Sequence, residues 1–272
     1  MTTVKPVSKT AYYCCGVRAL DAATSSPKCA DRFAERFMTP EAWTLFEPFR
    51  TLEGPNGSNV ARHRLIDDIL RARLSAQPDT RVIIIGAGFD TRAFRLAGGQ
   101  WVELDEPAVI AQKEEKLPAR ESPNSLTRVP IDFEHDSLAA SLARFRDQPR
   151  PVIVVEGVLP YLSSANVRTL LDAVRTTFEK PMIVGDMTTL AFARRHGKEI
   201  GERLRALGAP YGRLDVEPLA LFESAGFRRT TRTSIVGTAM QLGLIRGAPS
   251  WLMATLFRSL RDGYTVSTFE RA

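Results

Sequence analysis

The stretch Arg81–Asp105 constrains the fold more than any other part of the 272-residue chain. Arg81-Val82-Ile83-Ile84-Ile85 is a continuous β-branched apolar run, which reads as a strand buried on both faces of a parallel sheet. It stops at Gly86-Ala87-Gly88, where glycines permit backbone angles closed to other residues and let a ligand approach the main chain. Asp90 or Thr91 can cap a following helix that carries Ala93, Phe94 and Leu96. A second apolar run, Trp101 to Leu104, ends in Asp105-Glu106 just before Pro107. Strand, glycine turn, helix, strand and acid make the front half of a nucleotide-binding α/β unit, and the acid is placed to accept both hydroxyls of a ribose.

Two cofactor classes use that layout. A dinucleotide site wants G-x-G-x-x-G, so that a helix N-terminus can approach a pyrophosphate. Here Thr91 stands where the third glycine would be, and Asp90 lies inside the turn. A carboxylate there repels a pyrophosphate and suits a cationic ligand. S-adenosylmethionine is such a ligand, with an ammonium, a sulfonium and no phosphate. The plainer reading is a tight turn required only for packing.

The strings GAGFDTRAFRL from Gly86, ELDEPAVIAQKEEKL from Glu103 and VVEGVLPYL from Val154 resemble the leucine carboxyl methyltransferase family. Its bacterial branch includes O-methyltransferases of polyketide biosynthesis. The resemblance runs from Thr10 to Asp186 and says least about the C-terminal third. It implies an α/β fold, the seven-stranded class I S-adenosylmethionine-dependent methyltransferase (Rossmann-like) sheet with an N-terminal helical cap and a lid insertion. It implies S-adenosylmethionine as cofactor, S-adenosylhomocysteine as product, and no metal. It implies that a basic residue of the TAYYCCGVRALD segment, Arg18, reaches the cofactor carboxylate. Arg62, in the segment matching R-x3-I-D, pairs with the same carboxylate in the family, a task for which the guanidinium fork is suited. Asp132 and Phe133, after the third strand, stand where the family reads adenine, through its exocyclic amine and its ring.

A chain of this length can bury one sizeable core. We expect a single domain: a cap over 1–59, a cofactor-binding core over 60–186, a lid over 187–218 and sheet completion over 219–272. Hydrophobic content of 44% and charged content of 25% are those of a globular protein. There is no run of about 18 apolar residues to span a membrane, and MTTVKPVSKT lacks the apolar core of a signal peptide. Cys14, Cys15 and Cys29 are too few and wrongly spaced for a disulfide framework or metal site and read as small core fillers, so a cytoplasmic location is expected. The net charge is +6, but the arginines are interleaved with acids, as in Arg32, Glu35, Arg36 and Glu41. Arg228, Arg229 and Arg232 lack an aromatic stacking platform. An anionic small molecule therefore suits the charge better than nucleic acid. A monomer and a homodimer are equally compatible.

Along the chain, Thr10–Asp21 and Asp31–Phe49 read as helical cap segments, the second placing Phe33, Phe37 and Met38 near one face before Pro40 interrupts it, and Glu53-Gly54-Pro55-Asn56-Gly57-Ser58 reads as the turn that borders the main fold. Tyr12 and Tyr13 read chiefly as packing. Val60–Leu74 is a helix with Leu65, Ile66, Ile69 and Leu70 as its stripe, and His63 reads as a surface residue. Pro107 opens a helix, Leu126–Phe133 is a third strand, and His135 lies in a loop. Val152–Val155 is a fourth strand ending at Glu156, where an open α/β sheet binds its ligands. There Glu156 meets the cofactor's ammonium or sits near the transferred methyl, because a strand-end glutamate buried without a ligand is costly. Tyr161 follows as a wall of the transfer pocket. Ser163 or Ser164 caps a helix, Pro181–Val184 is a fifth strand closing with Gly185-Asp186, and Met187–Asp215 reads as a lid bearing Arg194, Arg195, His196 and Arg213. Phe227–Val236 and Tyr264–Phe269 read as a closing antiparallel pair. Met240–Leu260 is apolar enough to cover the sheet or line the acceptor pocket.

Methyl transfer from sulfonium is an in-line displacement that asks chiefly for positioning and exclusion of water. A carboxylate acceptor is already ionised, whereas a phenol needs a base such as His196, His135 or an acid. The expected reaction is methyl-ester formation on a small metabolite such as a polyketide acid, with Glu156 and Tyr161 at the reacting centre. The alternatives are a phenolic O-methyltransferase, a protein C-terminal carboxyl methyltransferase, a nicotinamide-dependent oxidoreductase and a non-catalytic cofactor-binding protein.

Overall fold

The β-branched run forms β1 (Arg81–Ile85), an interior strand of a seven-stranded sheet in the computed structural model, which describes residues 5–148, 150–246 and 258–272. The other strands are β2 (Gln100–Asp105), β3 (Ser125–Pro130), β4 (Val152–Val155), β5 (Met182–Thr188), β6 (Phe227–Ser234) and β7 (Tyr264–Arg271). Their order is β3-β2-β1-β4-β5-β7-β6. The first five run parallel, and β7 and β6 pair antiparallel, as the expected closing pair does. Strand side chains alternate between faces, and the core divides accordingly. Val82, Ile84, Val152 and Val154 pack with the N-terminal helices, while Ile83, Ile85, Ile153 and Val155 pack on the other face with Leu171 and Phe222.

The helices are α1 (Pro6–Ala22), α2 (Pro40–Phe46), α3 (Glu53–Ala76), α4 (Arg92–Arg95), α5 (Pro107–Lys116), α6 (Leu138–Ala143), α7 (Ser164–Thr177), α8 (Leu190–His196), α9 (Lys198–Ala206), α10 (Pro218–Ser224), α11 (Ile235–Gln241) and α12 (Arg258–Asp262). Ser163, rather than Ser164, caps α7 through the Asn166 N–H. None of the described helices is long and apolar enough to cross a membrane.

Five local expectations are corrected. Asp31–Phe49 breaks at Pro40 as expected, because Pro40 has no N–H to continue a helix and forces Thr39 into extended backbone (ψ 168°), but it is less helical than expected, with two 3-10 turns around the short α2. Glu53–Ser58 is not a border turn but the first turns of α3, where Pro55 stands in the turn whose N–H groups have no intrahelical partner. The helix after the glycine turn is only Arg92–Arg95, and Thr91 does not cap it: its hydroxyl donates to Asp31 (2.6 Å), while Asp90 accepts the Arg92 N–H (2.7 Å). β3 stops at Pro130, and β5 runs on to Thr188 because β7 pairs along it from Met182↔Glu270 to Thr188↔Tyr264. Of the Met240–Leu260 stretch, 247–257 lie outside the described residues.

Gly57 shows why α3 begins so early. A Cβ there would lie 2.5 Å from Ile245 Cγ2 and 2.8 Å from the Leu244 carbonyl oxygen, so glycine lets the helix seat against that backbone. Alanine at a helix interior gains about 1 kcal/mol in propensity, against roughly 1–3 kcal/mol for overpacking. We expect Gly57→Ala to lower the melting temperature. A rise would mean that the 244–245 backbone yields freely.

Candidate functional site

Two cavities open at the carboxyl ends of the central strands and share a wall of Cys14, Arg62, Gly157 and Tyr161. The first, about 260 Å³, runs along the glycine turn and is lined by Arg18, Gly86, Gly88, Asp90, Asp105, Glu106, Phe133 and Glu156 among others. The second, about 440 Å³, is lined by Tyr13, Asn59, Asp186, Phe192, His196, Tyr211, Met240, Arg246 and Tyr264 among others.

The turn is built as its glycines require. Gly86 and Gly88 have φ of +70° and +46°, and a Cβ on Gly86 would come within 2.6 Å of Val158 Cγ2. The Gly88 N–H donates to Asp105 Oδ2 (2.5 Å), and the Glu106 N–H donates to Asp105 Oδ1 (2.7 Å). Burial pushes the Asp105 carboxyl up to about 6 despite those two donors. Glu106 faces the cavity and is 3.1 Å from Lys5 Nζ.

Asp132 is a correction. It is absent from the cavity wall: its carboxylate accepts from Lys5 Nζ (2.8 Å) and from the Glu134 N–H (3.0 Å), and the Lys5 contact leads in holding it well below the usual carboxylate range. β3 ends early, so the residue turns back toward the N-terminal segment. Phe133 does line the cavity and is 37% exposed, the one large hydrophobic side chain left open among the described residues. His135 is exposed beside Asp132.

Behind the turn lies a buried ionic network. Arg62 donates from Nε to Glu156 Oε1 (3.0 Å) and from Nη1 to the Tyr264 hydroxyl (2.9 Å) and Asp186 (3.4 Å). Arg92, fully buried, pairs with Asp67 (2.6 Å), Asp90 and Glu156 (2.8 Å). Burial would raise the Glu156 carboxyl, but Arg92, His63 and Arg62 outweigh it and hold Glu156 ionised. Arg18 pairs with Asp31 (2.8 Å) and donates to the Phe89 carbonyl (2.7 Å), leaving Nη1 without a partner among the described residues. His63, Asp90 and Glu156 are spaced as metal ligands could be, but the Arg92 guanidinium contacts all three, so a cation already fills that cluster.

Of the expected site residues, Arg18, Arg62, Gly86, Gly88, Asp90, Asp105, Glu106, Phe133, Glu156 and Tyr161 come together on the first cavity. Of the lid residues, Arg213 joins them and His196 lies on the second cavity, whereas Arg194 and Arg195 line neither. Cys15 and Cys29 are buried fillers, but Cys14 stands in the shared wall. Tyr12 donates to Gln112, while Tyr13 lines the second cavity and packs on Phe49. Tyr161 meets Tyr211 edge-on (5.5 Å between centroids).

Sequence reasoning missed His63, Arg92, Asp186 and Tyr264. For His63 a signal was present: Arg62, His63, Ile66, Asp67, Leu70 and Leu74 share the buried face of α3, so polar residues at core phase marked a buried polar site. Arg92 lies in the GAGFDTRAFRL string and Asp186 closes the fifth strand, so both stood in segments already singled out, whereas no local pattern announces Tyr264.

Comparison with known proteins bears on the family and the fold. Residues 11–175 match the sequence pattern of the family described as leucine carboxyl methyltransferase. A Streptomyces coelicolor protein, provisionally described as an S-adenosyl-L-methionine-dependent methyltransferase, is 29% identical over 188 residues, covering 62% of this chain and 61% of that one. The tetracenomycin polyketide synthesis O-methyltransferase of Streptomyces glaucescens is 27% identical over 202 residues, covering 72% and 70%. The chain spans about three fifths of the length of the first curated relatives it matches. The magnesium protoporphyrin IX methyltransferase of Synechocystis PCC 6803, solved with bound SAH, shares the fold, with TM-score 0.50, 12% identity, and coverage of 84% and 95%.

Proposed function

Because the chain belongs to the leucine carboxyl methyltransferase family, we propose that it binds S-adenosylmethionine in the first cavity and methylates an oxygen of a small anionic molecule held in the second. The observation that carries this reading is the charge of the first wall. In a chain of net charge +6, that wall sets five carboxylates (Asp90, Asp105, Glu106, Glu134, Glu156) against four cations (Lys5, Arg18, Arg62, Arg213). The balance of −1 complements a ligand whose ammonium, sulfonium and carboxylate leave it singly positive, and it opposes a dinucleotide with two phosphate charges.

When bound, the cofactor supplies an electrophilic methyl group on sulfonium. Asp105 and Glu106 would hold the ribose, Phe133 the adenine face, Arg18 and Arg62 the carboxylate, and Asp90 and Glu156 the positive groups. Tyr161 and the shared wall align the acceptor with the reacting carbon, and α8 and α9 cover it from water. The tyrosines near this wall offer no base: burial pushes the hydroxyls of Tyr161 and Tyr264 up, so they stay protonated. That favours an acceptor that arrives ionised, a carboxylate, and the product is a methyl ester. Tyr13, Phe192, Tyr211 and Tyr264 on the second wall suit an aromatic polyketide acid. A phenolic acceptor is the second reading, favoured by His196, which lines the second cavity and whose pKa is lowered by partial burial and Arg195. His196→Gln would spare ester formation and abolish phenol methylation. We place the reaction in the cytoplasm, with no nucleic-acid partner.

Calorimetric titration with S-adenosylhomocysteine, with NADH in parallel, tests the cofactor. Binding of the first alone, lost in Asp105→Ala, is expected. The affinity should be flat above pH 6 and fall up to tenfold per unit below it, as the Asp105 carboxyl protonates near 6. The sign for folding is opposite. A carboxyl raised from 3.8 to about 6 makes the unliganded fold gain stability as pH falls through that window, so unfolding through this group does not mimic the loss. NADH binding, or no binding to either, overturns the reading.

A further inference from the structure

His63 is 1% exposed and lies among charged groups on three sides. Its Nε2 is 2.7 Å from Arg95 Nη2 and 3.8 Å from Asp67 Oδ1. Its Nδ1 is 3.3 Å from Glu156 Oε2 and 2.8 Å from Arg92 Nη2. Guanidinium nitrogens only donate, and a neutral imidazole has one N–H and one acceptor nitrogen. Two tautomers are thus in competition, and the acceptors decide between them.

If Nε2 carried the proton, it would point at the Arg95 donor, and the nearest carboxylate, Asp67 at 3.8 Å, is beyond hydrogen-bond reach. If Nδ1 carries it, the Glu156 carboxylate at 3.3 Å is the acceptor within reach, and Nε2 takes the Arg95 N–H. Arg92 Nη2 donates to the His63 carbonyl (3.2 Å) and lies 2.8 Å from Glu156 Oε2 as well as from Nδ1, so when Nδ1 is protonated its second proton has Glu156 as the alternative partner. An imidazolium would set a proton against a guanidinium at both nitrogens. We propose that His63 is a positioning residue, held as the neutral Nδ1–H tautomer, that orients Glu156 toward the first cavity. It joins Glu156 through Arg95 to Asp67 and to Asp31 (3.5 Å), and so ties the cavity wall to the helical cap. Burial and Arg92 lower its pKa, as that arrangement requires.

The assignment of an orienting role toward the cofactor rests on the proposed function; the tautomer does not. Long-range ¹H–¹⁵N correlation spectra of the full chain, labelled on its three histidines, should show one side chain with Nδ1 protonated and Nε2 bare. That pattern should persist from about pH 7.5 to about pH 5.5 and vanish in His63→Asn. An Nε2–H or imidazolium pattern for His63 overturns the proposal. In titrations with S-adenosylhomocysteine, His63→Asn, whose amide can still donate to Glu156, should stay within about threefold of wild type, while His63→Leu should lose roughly tenfold to hundredfold. Should His63→Leu fail to fold, the spectrum and His63→Asn still decide. Equal affinity in His63→Leu and wild type sinks the positioning role. A wild-type protein that binds none of this ligand sinks the cofactor reading instead and leaves the tautomer to the spectrum.

Discussion

Arg92→Met is expected to destabilise the fold by about 3–5 kcal/mol, the range for stripping one partner from a buried ion pair. The guanidinium is fully buried and faces Asp67, Asp90 and Glu156. Methionine matches much of the volume and leaves three carboxylates with fewer cations, Asp67 fully buried and Asp90 and Glu156 at the wall of the first cavity. Arg95 still covers Asp67 (2.7 Å) and Arg62 still covers Glu156 (3.0 Å), but Asp90 loses its one ion-pair partner among the described residues. Lowering the pH should restore part of the loss, because protonated acids need no cation. Urea unfolding at neutral and mildly acid pH measures both effects. A loss below about 1 kcal/mol would show that the network re-pairs around the gap.

Glu156→Gln is expected to cost the largest share of cofactor affinity. The amide keeps the shape but removes the charge, taking the first wall from −1 to neutral. It also turns an NH₂ toward Arg62, Arg92 or His63, all of which need an acceptor there. A unit charge about 6 Å from a cationic centre, at an effective dielectric of about 20, contributes roughly 3 kcal/mol, or about a hundredfold in Kd. S-adenosylmethionine should weaken by that much, and retention within about threefold of wild type would remove Glu156 from the site. S-adenosylhomocysteine carries the ammonium without the sulfonium. Equal loss for both ligands places Glu156 at the ammonium, and a smaller loss for the second places it by the transferred methyl.

Much of the site was legible before any fold was known. Gly86, Gly88, Asp105 and Glu156 were found because each sits at a strand end that its own neighbours announce. Asp132 was misplaced for the complementary reason: its direction depends on Lys5, 127 positions away. In the Asp31–Phe49 segment the break at Pro40 was legible because a missing N–H is a local property, whereas the shortness of the turns on either side of α2 was not. His63 was assigned to the surface because α3 was phased by its apolar stripe alone, and its buried face turned out to carry charge.

What the sequence determined by itself is what short-range chemistry determines: the β-branched runs that must be buried, the turn that must be glycine, and the acids that must stand at the ends of those strands. The tertiary structure alone decided which charges meet. Arg62 reaches Glu156 across 94 positions and Tyr264 across 202. It does so because parallel strands β1, β4 and β5 end on one edge and α3 lies across it. A guanidinium buried there keeps its charge only where carboxylates converge from several elements, and that convergence is a property of the packed sheet, with no counterpart in any local stretch of the chain.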